Sequence, residues 1–127
     1  MMQPTVYVKQ VTSNVLVMTW QHDVERDDIA TAFSDIRARL QETDQPIQII
    51  VDLTAKPLFP IQTTVGHAMQ GVFGHRNLER WLVAGESTSA RLIANALDQF
   101  RRRKNIFWFR TLNEAYAEAG IPQLLRK

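Results

Sequence analysis

The spacing of apolar positions changes period several times along the chain, and each change marks an element. Residues 5–11 (TVYVKQV) and 14–20 (NVLVMTW) alternate or cluster β-branched and aromatic side chains, with Thr12, Ser13 and Asn14 supplying turn chemistry between them. That pattern predicts a β-hairpin. Next, Ile29, Ala32, Phe33, Ile36 and Leu40 recur at the spacing of one helical face. Asp27 and Asp28 fall in the first turn of this helix and Arg37 and Arg39 later, which suits the helix dipole. Asp35 and Arg39 are spaced to pair, and residues 44–46 end the segment.

Residues 46–53 (PIQIIVDL) form a near-continuous apolar run, as expected of a strand covered on both faces. Helical spacing returns with Val65, Ala68, Met69, Val72 and Phe73 and runs out near Gly74. A third apolar run occupies 81–85 (WLVAG). A helix is expected over 87–100, capped by Ser87 or Thr88, with Leu92, Ile93, Ala96, Leu97 and Phe100 as its apolar stripe. Another strand run covers 106–109 (IFWF). A short helix over 111–120 has Thr111 as N-cap, Glu114 three residues on and Gly120 as its stop.

The resulting order, ββαβαβαβα, predicts an α/β fold. A mainly parallel central sheet carries helices on its faces, and the N-terminal antiparallel hairpin lies at one edge. At 127 residues, with no repeat, low-complexity tract or linker, the chain reads as one domain. Hydrophobic residues at 45% and charged residues at 22% are globular proportions. The absence of cysteine excludes a disulfide framework, thiolate metal sites and cysteine nucleophiles. No apolar run approaches the roughly 18 residues of a membrane span, and the N-terminal residues lack a secretory pattern. The expectation is a cytoplasmic protein without membrane insertion.

Chemistry is sparse. His22, His67 and His75 lack the spacing that puts two ligands on one helical turn, so no metal site is expected. No nucleophile elbow, Walker loop or dinucleotide fingerprint occurs, and neither an enzyme activity nor a cofactor is expected. The basic run RRRK (101–104) before an aromatic strand suggests phosphates and bases. A net charge of only +2 argues against a polyanion binder, and cations at a helix end already offset its dipole. Nucleic acid is therefore not an expected partner. Trp20, Trp81 and Trp108 each sit in or at a strand, where core packing is the default.

The loops at the carboxyl ends of the parallel strands remain. In doubly wound sheets, ligands bind there. Asp52 and Thr54 end one strand, Glu86 and Ser87 follow another, and Thr63–Thr64 and Ser87–Thr88–Ser89 stand at helix starts. Backbone N–H groups at such starts attract phosphate, although Ser and Thr also serve there as simple caps.

The layout resembles the STAS domain of anti-sigma factor antagonists. The likeness covers about residues 5–120 and rests on element order, on IIVDLT (49–54) and on IFWFRTLNEAYAEAG (106–120). In that family a strand ending in Asp-Leu-Ser/Thr leads to Asp-Ser-Ser-Gly at the next helix. Asp52 and Thr54 match the first part, while Gln62-Thr63-Thr64-Val65 stands at the second, beyond a longer loop bearing Pro57 and Pro60. Leu112 and Ala115 match the family's late helix. The resemblance implies a non-enzymatic regulatory module that docks a protein partner, such as an anti-sigma kinase. Thr63 and Thr64 then stand at the phosphorylation position, in a loop whose switch has degraded or changed. The alternative is a protein binding a small ligand, a nucleotide or a lipid, in the crevice at the strand ends through Asp52, Glu86, Thr54 and Ser87.

Overall fold

The structure, a computed structural model, describes residues 4–58, 61–69, 71–72, 75–98 and 105–126. A five-stranded sheet has strands in chain order: β1 (Val6–Thr12), β2 (Val15–Trp20), β3 (Ile47–Asp52), β4 (Leu78–Ala84) and β5 (Ile106–Phe109). The β1–β2 hairpin is antiparallel and every later pairing is parallel. The helices are α1 (Arg26–Gln41), α2 (Ile61–Met69), α3 (Thr88–Asp98) and α4 (Leu112–Glu118), and a short 3₁₀ turn follows at Gln123–Leu125.

A strand order that never reverses has a direct consequence. Parallel crossovers are right-handed, so three successive ones in the same direction put α1, α2 and α3 on one face. The buried clusters follow this division. Leu16, Met18, Ile49, Val51, Trp81 and Val83 pack with residues of α1–α3. Val15, Val17, Ile50, Leu82 and Ala84 pack with Ala115, Tyr116 and Ile121 on the other. A sheet whose strand order never reverses has no switch point of the doubly wound kind.

Helix α1 forms as its pattern requires, with Ile29, Ala32, Phe33, Ile36 and Leu40 all buried. Arg39 Nε donates to Asp35 Oδ1 at 2.9 Å. Its N-terminal cap comes from outside the helix. The Thr5 hydroxyl accepts from the Glu25 N–H at 2.8 Å and donates to Asp28 Oδ2 at 2.8 Å, where the Thr5 N–H also donates. These donors hold the Asp28 carboxyl below its ordinary 3.8. At the far end, the buried Asn77 amide donates to the Leu40 and Thr43 carbonyls, tying the start of β4 to the C-terminus of α1. Helix α4 follows its sequence signals: Thr111 Oγ1 accepts from the Glu114 N–H, and Gly120 stops it at φ +78°.

Two helices depart from their patterns. Helix α2 begins at Ile61 and ends at Met69, not near Gly74, because Gly71 turns the chain at φ +77°. Val72 stays fully buried in that turn, so the apolar spacing outlasts the helix. In α3, Leu92 is half exposed instead of lying in the apolar stripe. The described inward positions are Ala90 and Ala94, and Leu92, two residues from each at 100° per residue, falls on the opposite side; the side chains of Ile93, Ala96 and Leu97 lie outside the described residues. Phe73, Phe100 and the RRRK run lie outside the described residues.

Gly85 has a specific steric role. Its φ is +107°, and a Cβ there would lie 2.9 Å from the Leu53 carbonyl carbon. Gly85→Ala is expected to lower stability by at least about 2 kcal/mol through strain and clash, a fall of roughly 5 °C or more in thermal denaturation. Asp28→Asn tests the α1 cap through pH. A depressed carboxyl pKa stabilises the fold above the unfolded value and loses that contribution as pH falls through the folded one. The variant should therefore show a shallower loss of stability below about pH 4 in denaturant titrations at stepped pH.

Candidate functional site

The β3–α2 connection begins as a self-satisfied turn. Asp52 Oδ1 accepts from the Thr54 N–H at 3.0 Å and from the Thr54 hydroxyl at 2.6 Å. Lys56 then adopts φ +54°, and its N–H closes a turn to the Leu53 carbonyl. His22 Nδ1 donates to the Lys56 carbonyl at 2.9 Å, and the Leu58 N–H donates to the His22 carbonyl. The Asp-Leu-Thr segment is thus explained by local backbone satisfaction.

The sheet separates Asp52 from Thr63 and Thr64. Asp52 stands beside Thr19 in register and points to the α4 face. There it lines a depression of about 390 Å³ with Tyr7, Lys9, Thr19 and Tyr116. Burial first, then the charge of Asp52, pushes the Tyr116 hydroxyl above its ordinary 10.0, so it stays protonated at neutral pH. Lys9 and Asp52 are opposite in sign and Thr54 already occupies Asp52 Oδ1, so the depression selects no single ligand chemistry.

Thr63 and Thr64 lie on the other side, in the first turn of α2. Thr63 is half-buried and Thr64 is only 5% exposed. Glu86 is exposed after Gly85, and Ser87 Oγ accepts from the Ala90 N–H at 3.1 Å as a helix cap. Ala84 is the register partner of Asp52, so Glu86 and Asp52 belong to neighbouring strand ends. No group of three His, Asp or Glu side chains suited to a metal occurs among the described residues.

Thr64 borders a cavity of about 90 Å³ between the sheet and α1, α2 and α3. Trp20, Trp81 and Trp108 line it with Phe33, Ala90 and Ala94, and Thr64 is the one polar residue among the described lining residues. All three tryptophans of the chain are therefore on one cavity. Core packing was the sequence expectation for each. Their shared face follows from register, since Trp81 pairs with Ile106 and Trp108 lies two residues on. Ala90 and Ala94 carried no sequence signal as ligand contacts. By the scale on which one water needs about 10–15 Å³, this space takes several non-hydrogen atoms.

Comparison with family models, curated proteins and solved structures returned no match. Among the described residues no helix is long and apolar enough to cross a membrane.

The two threonines should respond differently to charge. Thr64→Glu places a carboxylate against an apolar cavity and is expected to cost about 3–5 kcal/mol. Thr63→Glu, half-exposed in the first turn of a helix, should stay within about 1 kcal/mol of the parent. Urea denaturation of the two variants measures the contrast.

Proposed function

We propose that the protein is a non-enzymatic binding module whose ligand is a small apolar molecule or a short part of a single lipid chain, held between the sheet and helices α2 and α3. One observation carries this reading: the cavity is bounded by three indoles and aliphatic groups, with one hydroxyl among the described lining residues. A lining of indole rings, aliphatic groups and one described hydroxyl favours an apolar ligand over the phosphates and base edges of a nucleotide. A saturated chain suits it, because each methylene transferred from water contributes about 0.8 kcal/mol and needs no directional partner. Filling the void also returns the dispersion contacts its walls lack.

The regulatory reading has a narrower basis. Thr63, half-buried in the first turn of α2, is the hydroxyl that a modifying partner would reach more readily; Thr64 is covered. A protein partner that senses whether the cavity is filled would join the two readings, since α2 carries Thr63 and also lines the cavity through Thr64 and Ala68.

The test uses a neutral probe, 1-decanol. Binding should shift intrinsic tryptophan emission, since every indole lines the cavity. It should also raise the midpoint of thermal unfolding by roughly 5–10 °C near a hundredfold excess over Kd, where ligand linkage supplies about 2.7 kcal/mol. Ala94→Leu fills the cavity from α3 and should abolish both responses while the variant stays folded. An unchanged emission spectrum and midpoint in the parent would overturn the reading.

A further inference from the structure

The cavity has a direction, and its open end carries charge. Among the described lining residues, only Ala90 and Trp108 are partly exposed; the others are buried. Among the described residues, the lining therefore reaches solvent between α3 and the edge strand β5. Arg91, next to Ala90 in α3, is exposed, and its guanidinium lies 4.4 Å from the centroid of the Trp108 ring. Among the described residues no carboxylate pairs with Arg91. A cation is thus stacked at the mouth of an apolar cavity, and among the described residues none takes its hydrogen-bonding edge.

We infer that the ligand is an anionic single-chain amphiphile whose chain enters the cavity at Ala90 and Trp108 and whose carboxylate or phosphate head is held by Arg91. This rests on the apolar-ligand reading above and adds the headgroup to it. A guanidinium presents a planar fork matched to two oxygens of a carboxylate or phosphate. Stacking on Trp108 holds that fork at the opening before the ligand arrives, which lowers the ordering cost of the contact. The two parts of the ligand then meet surfaces of their own kind: the chain meets indole and alanine, and the head meets a cation at the water boundary.

The experiment compares decanoate, decyl phosphate, 1-decanol and decyltrimethylammonium, each below its micelle-forming concentration, by tryptophan emission. In the parent protein decanoate or decyl phosphate should bind about fivefold more tightly than 1-decanol, the scale of a partly exposed ion pair. The cationic probe should bind more weakly than the alcohol. Whichever anion binds more tightly identifies the head. Arg91→Gln should remove the preference for the anion while keeping the affinity for 1-decanol, and Arg91→Lys should keep part of it. The preference should shrink as salt rises. Equal binding of alcohol and anions, or a preference that survives Arg91→Gln, would overturn the headgroup assignment and leave the apolar cavity standing. Failure of all four probes would overturn the cavity reading, and this inference with it.

Discussion

The fixed hand of the β-α-β crossover is the constraint on which the rest of this structure depends. Strands β2 to β5 are laid down side by side without a reversal, so right-handed connections stack α1, α2 and α3 on one face. Two short helices, α2 of nine residues and α3 of eleven, must then roof the sheet beside the longer α1. Their inward positions include the small side chains Ala68, Ala90 and Ala94, and the sheet offers three indoles opposite. Small residues above large flat ones leave space between them. The same topology leaves α4 to cover much of the other face, through Ala115, Tyr116 and Ile121.

Polar contacts at the rim keep these layers in place. Thr5 caps α1 from the start of the hairpin, and Asn77 closes its other end from the start of β4. Arg80 joins β3, β4 and α4: its Nε donates to Gln48 Oε1, and Nη1 reaches Glu118 Oε1 at 2.9 Å. The Gln48 side chain is buried, and this guanidinium satisfies it. Gly85 lets the end of β4 pass against the Leu53 carbonyl, which brings α3 down beside the strand ends. A second arginine, Arg91, stacks on the exposed edge of β5.

Much of the fold was legible in the chain itself, and the reasons are local. The five apolar positions of α1 recur with one helical period and all are buried. Thr111, Glu114 and Gly120 announce both ends of α4 within ten residues. Less was legible at α2 and α3. Val72 continues a helical spacing although it belongs to a turn, because a turn packed on the core selects apolar residues as a helix does. Leu92 looks like core by type, yet its angle on the helix places it in solvent. For the site, type and position near the strand ends drew attention to Asp52, Thr54, Thr63, Thr64, Glu86 and Ser87. The side of the sheet each one faces was not visible, and the turn around Asp52 accounts for the most suggestive of the motifs.

The amino-acid sequence by itself determined the elements, their order and their parallel pairing, because period, caps and connection length act within a few residues. Only the tertiary structure decided which residues share a space. Trp20, Trp81 and Trp108 are 61 and 27 residues apart in the chain. Strand register and crossover hand are what bring them around one cavity, with Ala90 and Ala94 as its roof and Arg91 at its mouth. Thr64 belongs to that cavity and Asp52 to the opposite face for the same reason. A sheet is two-sided, and which side a residue serves is set by pairing with distant strands, not by its neighbours in sequence.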